Sequence, residues 1–254
     1  MKHFMKLREF IDIEKIDWTG LSQNPVNKAI RLLEANQEKI DWYYLSENTA
    51  PEAIKLLEAN QDKIDWYYLS ENPAPGAIKL LEANQEKIDW YWLSTNSASE
   101  AIKLLEANQE KINWMCLSLN PGAIKLLEAN RDKINWSRLS QNPRAIKLLE
   151  ANQEKLNWYC LSQNPGAIKL LEANQEKINW FMLSANPGAI KLLEANQDKI
   201  YWVNLSGNPA IFEYDYEAMK DRMYNSGLFE DLMKNRFHPR NVLKFEEWGH
   251  EGIF

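Results

Sequence analysis

Apolar and polar residues follow one another along this chain with the spacing of short amphipathic helices. The stretch "NPGAIKLLEAN" runs from Asn120 to Asn130, and a rotation of about 100° per residue gathers its apolar side chains on one arc. That arc consists of Ala123, Ile124, Leu126 and Leu127. Lys125 and Glu128 lie on the opposite face. The pattern predicts a helix that buries one side and exposes the other.

A second, shorter helix is predicted at each tryptophan. Asp41 precedes Trp42, and aspartate favours a helix N-terminus because its carboxylate accepts a hydrogen bond from a free backbone N–H. Trp42 and Leu45 are three residues apart and therefore share one face of this helix. Asn113 takes the same place before Trp114 in a later copy.

The tryptophans show that this two-helix unit is repeated. A spacing of 24 residues separates Trp18, Trp42, Trp66, Trp90 and Trp114. A spacing of 22 residues separates Trp114, Trp136, Trp158, Trp180 and Trp202. A fixed period in this range indicates a solenoid, in which stacked repeats share one core.

The two-residue difference falls in the junction that leads into the longer helix. An early junction reads "NPAPGAI", whereas later ones read "NPGAI". Asparagine followed by proline favours a helix start, because the missing N–H of proline has no partner in the first turn. We expect Asn130 to end the helix in a left-handed conformation.

A leucine-rich-repeat-like solenoid is the alternative fold, because "IDWYYLSEN" also fits the LxxLxLxxN spacing of that class. In that arrangement Ile40, Tyr43 and Leu45 point inward, and Asn48 begins a ladder of asparagines. The same strands would expose a row of tryptophans, which are normally mostly buried. We therefore favour an all-α solenoid of short two-helix repeats in which Trp and Leu face inward together.

The repeats divide the chain into three predicted parts. Residues 1–17 form an N-terminal helical cap, and residues 18–209 form the tandem-repeat solenoid, with 24-residue repeats to about position 114 and 22-residue repeats after it. Residues 210–254 form a C-terminal helical capping module of about three helices, one of which begins at His238-Pro239. Caps are needed because the end repeats have no neighbour to cover their apolar faces.

Three positions on the outward side of the short helix change between repeats, while the inward positions stay constant. The first position holds Tyr43, Tyr67, Tyr91, Met115, Ser137, Tyr159, Phe181 and Val203. The second holds Tyr44, Tyr68, Trp92, Cys116, Arg138, Cys160, Met182 and Asn204. The third holds Glu47, Glu71, Thr95, Leu119, Gln141, Gln163, Ala185 and Gly207. Variation on one surface over a constant core is typical of the binding surface of a repeat protein.

Six aromatic residues at the first two positions form the candidate partner-binding site. They are Tyr43, Tyr44, Tyr67, Tyr68, Tyr91 and Trp92. Aromatic side chains are frequent anchors of protein–protein interfaces, so we expect a protein partner. The alternative is that the rings pack between neighbouring short helices and remain half-exposed without a binding role.

Charge and motifs narrow the classes of function. The net charge of −6 makes the chain a poor electrostatic match for nucleic acid or an anionic membrane. No apolar run reaches the length of a membrane span. His3, His238 and His250 lack metal-ligand spacing, and no nucleotide-binding or nucleophile motif is present. We expect no enzymatic activity, no metal site and no cofactor.

The cysteines and the N-terminal residues bear on the compartment. Cys116 and Cys160 occupy the same position two repeats apart, and at helix-packing distances of about 8–10 Å per repeat they are too distant for a disulfide. The first residues alternate charge with hydrophobe and lack the apolar core of a signal peptide. We therefore expect a protein of a reducing compartment that is not secreted.

The repeat "KIDWYYLSENPAPGAIKLLEANQEKIDW" resembles tandem-repeat proteins of large nucleocytoplasmic DNA (giant) viruses, in which W-x-x-L-S-x-N-P-x-A-I-x-L-L recurs. The tail "LFEDLMKNRFHPRNVLKFEEWG" is similar to the C-terminal module of that group. The junctions Asn48-Thr49 and Asn96-Ser97 depart from the Asn-Pro pattern. The resemblance implies a viral protein of the infected host-cell cytoplasm or of the virion, and it brings no catalytic residues.

Two functions are compatible with these features. The first is a non-enzymatic protein–protein interaction scaffold or adaptor that binds a host or viral protein. The alternative is a structural virion component, such as a minor capsid or internal layer protein.

Overall fold

A computed structural model describes residue 8 and residues 10–236 of the chain. The chain divides into two compact units, Met1–Asn208 and Pro209–Phe254. Within the described residues both units are helical and contain no strand. The predicted all-α repeat solenoid is therefore confirmed, and the leucine-rich-repeat-like alternative, which requires strands, is not found.

Each repeat of the first unit begins with a short helix at its tryptophan, here called the Trp helix. The Trp helices are Trp18–Gln23, Trp42–Glu47, Trp66–Glu71, Trp90–Leu93, Trp114–Leu119, Trp136–Leu139, Trp158–Leu161, Trp180–Ser184 and Trp202–Ser206. The predicted caps are present: the Asp41 carboxylate accepts from the backbone N–H of Tyr44, and Asn113 accepts from that of Cys116. The exception is the last of these helices, because its N-cap residue, Tyr201, makes no side-chain capping hydrogen bond.

The second helix of each repeat, here called the Leu helix, carries the two adjacent leucines. The Leu helices are Asn27–Glu34, Pro51–Glu58, Pro75–Ala83, Ser99–Ala107, Ile124–Ala129, Ile146–Glu150, Ile168–Glu172 and Ile190–Glu194. The two extra residues of the early repeats lengthen the start of this helix. In two late repeats the segment before it is a 3-10 turn, Pro165–Ala167 or Pro187–Ala189.

A 3-10 turn, here called the Lys turn, links each Leu helix to the next Trp helix. The Lys turns are Gln37–Lys39, Gln61–Lys63, Gln85–Lys87, Gln109–Lys111, Arg131–Lys133, Gln153–Lys155, Gln175–Lys177 and Gln197–Lys199. Asn130 precedes one of them with φ −130° and ψ 52°, so the predicted left-handed conformation is wrong. Its side chain instead donates to the Leu126 carbonyl, which provides a partner for the end of the Leu helix without a positive φ.

The core is a continuous column of leucine, isoleucine and alanine that passes through all the repeats of the first unit. In successive repeats the fully buried leucines of the two helices are Leu33, Leu45, Leu57, Leu69, Leu81, Leu93, Leu105, Leu117, Leu127, Leu139, Leu149, Leu161, Leu171 and Leu183. Each buried leucine contributes roughly 1.5–3 kcal/mol of transfer free energy. The exposed faces hold the charged residues, including Lys125 and Glu128.

Buried asparagines join each repeat to the one before it. They are Asn48, Asn72, Asn96, Asn120, Asn142, Asn164, Asn186 and Asn208. Asn142 is typical: its amide donates to the backbone carbonyls of Ser118 and Asn120, at 3.2 and 3.1 Å. Its side-chain oxygen accepts from the N–H of Arg144 at 3.0 Å. One side chain therefore provides partners for backbone groups in two repeats.

The constant serine of the Trp helix makes a second link between repeats. The Ser118 hydroxyl donates to the carbonyl of Trp114 and accepts from the backbone N–H of Asn135 in the next repeat, at 2.7 and 2.9 Å. Asn135 is the residue that caps the next Trp helix. From Ser22 to Ser184 these serines are buried, and their hydroxyls are engaged in structural hydrogen bonds.

The tryptophans lie at the edge of the core rather than inside it. From Trp18 to Trp180 each indole is partly buried against the core, and a lysine of the next Lys turn covers its ring. The Nζ of Lys155, for example, is 4.9 Å from the Trp136 ring centroid. Trp202, in the last repeat, is 67% exposed. The predicted inward orientation is thus confirmed for the leucines, whereas the tryptophans from Trp18 to Trp180 are only partly buried and a lysine covers each ring.

The ends of the chain are described only in part. Of the predicted N-terminal cap, residues 1–7 and 9 lie outside the described residues, and Ile13–Lys15 forms one 3-10 turn. In the second unit the helices are Tyr216–Asn225 and Leu228–Asp231, joined through Gly227 at φ +71°, and they are followed by a π-helical turn, Leu232–Arg236. The predicted helix at His238-Pro239 lies outside the described residues.

The buried asparagines that join the repeats are here called the asparagine ladder, and removal of one of them should destabilise the solenoid. We expect Asn142→Ala to lower the free energy of unfolding by about 2–4 kcal/mol, because three backbone groups lose their partner. The matched control is Asn130→Ala, which removes one local hydrogen bond and should cost about 0.5–1 kcal/mol. Urea denaturation followed by circular dichroism measures both, and equal losses would contradict the ladder.

The lysines over the tryptophans should also contribute to the free energy of unfolding. We expect the triple variant Lys155→Met, Lys177→Met and Lys199→Met to lose roughly 1.5–3 kcal/mol, since each cation–π contact contributes about 0.5–1 kcal/mol at an exposed site. The control changes Lys147, Lys169 and Lys191 to Met, because these lysines lie on the exposed face of the Leu helices. The same loss in both variants would show that charge alone is responsible.

Candidate functional site

The variable positions lie on one outer surface of the first unit, as the sequence predicts. The first position is exposed in most repeats: Tyr43 is 40%, Tyr67 39% and Tyr91 45% exposed. The second position is less accessible, and Tyr44, Tyr68 and Trp92 are only half-exposed. Because each Trp helix is fixed by its cap and its buried leucine, these side chains have a defined direction.

The six predicted aromatic residues form one continuous surface, here called the aromatic strip. Tyr43 lies against Tyr68 of the next repeat, with ring centroids 3.8 Å apart. Tyr67 lies in the same way against Trp92, at 4.8 Å. Within each repeat the two neighbouring rings also meet, at 4.6 to 5.3 Å. The order along the strip is Tyr44, Tyr43, Tyr68, Tyr67, Trp92 and Tyr91.

The second-position residues of the strip pack against the rings of the first position. Tyr68 and Trp92 support the first-position rings of the preceding repeats, Tyr43 and Tyr67, so their own outward faces are partly covered. The first position before Tyr44 is Thr19, and Tyr44 contacts the ring of Tyr43 in its own repeat. The alternative interpretation, packing between neighbouring short helices, therefore applies to Tyr68 and Trp92. Tyr43, Tyr67 and Tyr91 present the more exposed rings.

Tyr67 and Tyr68 of the strip have a raised pKa. A hydrogen bond between the hydroxyls of Tyr43 and Tyr68 raises the pKa of Tyr68 well above its ordinary value. Desolvation raises the pKa of Tyr67, and the carboxylates of Glu71 and Asp89 raise it further. Both shifts favour the uncharged form of Tyr67 and Tyr68.

Charge and space are unevenly distributed along the strip. Exposed carboxylates occupy the third position at its N-terminal end, at Glu47 and Glu71, and give way to Thr95 and then Leu119. A pocket of about 220 Å³ lies beside Tyr44 and Glu47. A second pocket, of about 260 Å³, begins at Tyr91 at the other end. The strip is therefore a surface with two distinct ends.

Exposed apolar residues also follow the strip into the later repeats. Met115, Leu119, Tyr159 and Phe181 are each 41–49% exposed. Their rings and chains are separated by small or polar residues, such as Ser137, so they do not form a continuous aromatic surface. Tyr159 therefore serves as an exposed aromatic residue at the same repeat position but outside the strip.

Other chemistry is limited within the described part of the chain. No group of three or more His, Cys, Asp or Glu side chains there is placed to hold a metal ion. No helix among these residues has both the length and the apolar composition needed to cross a bilayer. Cys116 is buried and Cys160 half-buried, and both are free thiols.

Comparison of the chain with protein-family models, with curated proteins and with solved structures gave no match. The case for a function therefore rests on the geometry of the variable surface and on the resemblance of the repeat.

The hydrogen bond within the strip can be tested by titration. We expect Tyr43→Phe to lower the pKa of Tyr68 towards the ordinary tyrosine value of about 10, because the raised pKa depends chiefly on the Tyr43 hydroxyl. The stabilisation that accompanies this bond is complete below the ordinary pKa and is lost as pH rises through the raised one.

Carbon-13 NMR of the tyrosine Cζ atoms measures this titration. Tyr159→Phe is the control, because it removes a hydroxyl at the same repeat position outside the strip and should leave Tyr68 unchanged. An unaltered Tyr68 titration in Tyr43→Phe would contradict the bond.

Proposed function

We propose that the chain is a non-enzymatic scaffold or adaptor that binds a protein partner through the aromatic strip. The observation that supports this most is the contiguity of the strip. The rings of Tyr43, Tyr67 and Tyr91 are exposed and in line, and aromatic neighbours from adjacent repeats hold the first two in place. Rigid, ordered aromatic rings lose little conformational entropy on binding, which is why tyrosine and tryptophan dominate interface hot spots.

The contrast between constant and variable residues supports the same function. Core leucines, ladder asparagines and covering lysines recur in nearly every repeat, whereas the outward positions differ. A protein whose surface only needed to be soluble would have no use for a row of exposed rings. The carboxylates beside the strip, Glu47 and Glu71, disfavour a nucleic-acid backbone and favour a protein surface with basic groups.

The resemblance of the repeat and the tail supports a viral origin. With it, the proposed places of action are the cytoplasm of the infected cell and the virion. A structural virion component remains the second candidate, because exposed apolar residues continue beyond the strip as far as Val203 and suit repeated contacts in a protein layer. Mass spectrometry of purified particles separates the two: a layer protein is present in many copies, an adaptor in few or none.

The proposed function predicts that the exposed rings carry the affinity. We expect the variant Tyr43→Ser, Tyr67→Ser and Tyr91→Ser to lose the captured partner in affinity purification with cross-linking from cells that express the chain. A loss of about 1 kcal/mol or more per hot-spot ring corresponds to at least a hundredfold weaker binding for three. Tyr159→Ser is the matched control and should retain the partner.

The fold of the variants has to be verified in the same experiment. The mutated rings are at the first position, so the core leucines are untouched. Both variants should keep the wild-type circular dichroism spectrum and a free energy of unfolding within about 1 kcal/mol of wild type. Partner capture that is unchanged in the folded triple variant would overturn the proposed function.

A further inference from the structure

A pocket of about 260 Å³ adjoins the C-terminal end of the aromatic strip. Its walls come from three consecutive repeats and include Tyr91, Thr95, Met115, Cys116, Leu119 and Arg138. Small-molecule sites usually measure about 300–1,000 Å³, so this pocket is closer in size to one large side chain than to a cofactor. Most of its lining is apolar, and one edge carries a guanidinium group.

The pocket exists because the repetition fails at this point. In the three preceding repeats the second position holds an aromatic ring, at Tyr44, Tyr68 and Trp92. Tyr68 and Trp92 each fill the space against the first-position ring of the repeat before. In the fifth repeat this position holds Cys116, whose thiol is far smaller than a ring. Tyr91 therefore lacks the aromatic partner that supports Tyr43 and Tyr67.

The change of repeat length falls at the same place. Pro121, which belongs to the first shortened junction, also lines the pocket. A loss of ring volume and a change of spacing thus coincide in one repeat. The result is the space for one side chain directly beside the exposed ring of Tyr91.

The charge at the edge of the pocket indicates what the occupant carries. Arg138 is exposed, and among the described residues no carboxylate lies within salt-bridge distance of its guanidinium. Towards the N-terminus, the third position of the Trp helix holds Leu119 and Thr95 at the pocket and then Glu71 in the repeat before Thr95. A ligand that matches this surface has a negative group at Arg138, an apolar group in the pocket and a positive group near Glu71.

We propose that the pocket receives an aromatic or large aliphatic side chain from an extended segment of a protein partner. The residue that follows it is acidic and pairs with Arg138, and basic residues about four positions earlier lie over the strip near Glu71. That spacing follows from a repeat separation of about 8–10 Å and an extended chain of about 3.3 Å per residue. This inference rests on the proposed function of the strip and adds the partner's chemistry and orientation to it.

The test uses the full chain and end-blocked synthetic peptides measured by fluorescence anisotropy. The parent peptide contains two lysines, a glycine–serine spacer of three residues, a phenylalanine and a glutamate. Three further peptides replace the phenylalanine by alanine, the glutamate by glutamine, or the lysines by serine. We expect the parent to bind, and the alanine peptide to bind about tenfold more weakly or worse, because a buried phenylalanine contributes about 1.5–3 kcal/mol.

Two protein variants test the pocket itself. Cys116→Tyr restores the ring that earlier repeats carry at this position, so the fold should tolerate it while the pocket is filled. It should weaken the parent peptide about tenfold or more and remove the advantage of phenylalanine over alanine. Cys160→Tyr is the matched control, with the same substitution at the same position two repeats later, and should bind like wild type.

Arg138→Gln keeps the inference testable if Cys116→Tyr does not fold. It should weaken the glutamate peptide and leave the glutamine peptide unchanged. Absence of binding of the parent peptide, or equal binding of the phenylalanine and alanine peptides, would overturn the inference. If the Tyr43, Tyr67 and Tyr91 variant still loses its captured partner while Cys116→Tyr retains it, the proposed function stands and the pocket inference fails.

Discussion

The hydrogen bonds of the buried asparagines hold this architecture together. A two-helix repeat of this length leaves backbone carbonyls at the end of its Trp helix without intrahelical partners, and in a stacked array those carbonyls are buried. Asn142 provides partners for two of them in the preceding repeat and for an N–H in its own. Apolar packing alone would allow neighbouring repeats to slide, whereas these bonds fix their register.

This fixed register is what gives the outer surface its order. The asparagine ladder and the serine bonds set the position of each Trp helix relative to the next, so a ring at the first position always meets the second position of the following repeat. Tyr43 therefore meets Tyr68, and Tyr67 meets Trp92, with ring centroids 3.8 and 4.8 Å apart. The order of the rings in the aromatic strip is thus a consequence of core contacts that do not themselves vary.

Local features of the fold were predictable because their causes are close in sequence. The caps at Asp41 and Asn113 and the inward leucines follow from residue type and helical periodicity. Residue type alone does not separate the two recurring asparagines: the Asn60 side chain donates a local bond to the Leu56 carbonyl, whereas the Asn48 side chain donates the bonds between repeats. That distinction depends on which groups face the neighbouring repeat, which one repeat viewed alone does not show.

The lysine contacts with the tryptophans and the pocket at Cys116 also depend on which groups face the neighbouring repeat, so a single repeat does not predict them. Lys39 and Trp18 are 21 positions apart, and only the stacked geometry brings them to 4.8 Å. Cys116 was recognisable in sequence as a departure from an aromatic pattern, but its effect depends on which ring of the previous repeat it fails to support. In a repeat protein the constant positions therefore specify the fold, and a site arises where one position departs from the pattern and leaves its neighbour uncovered.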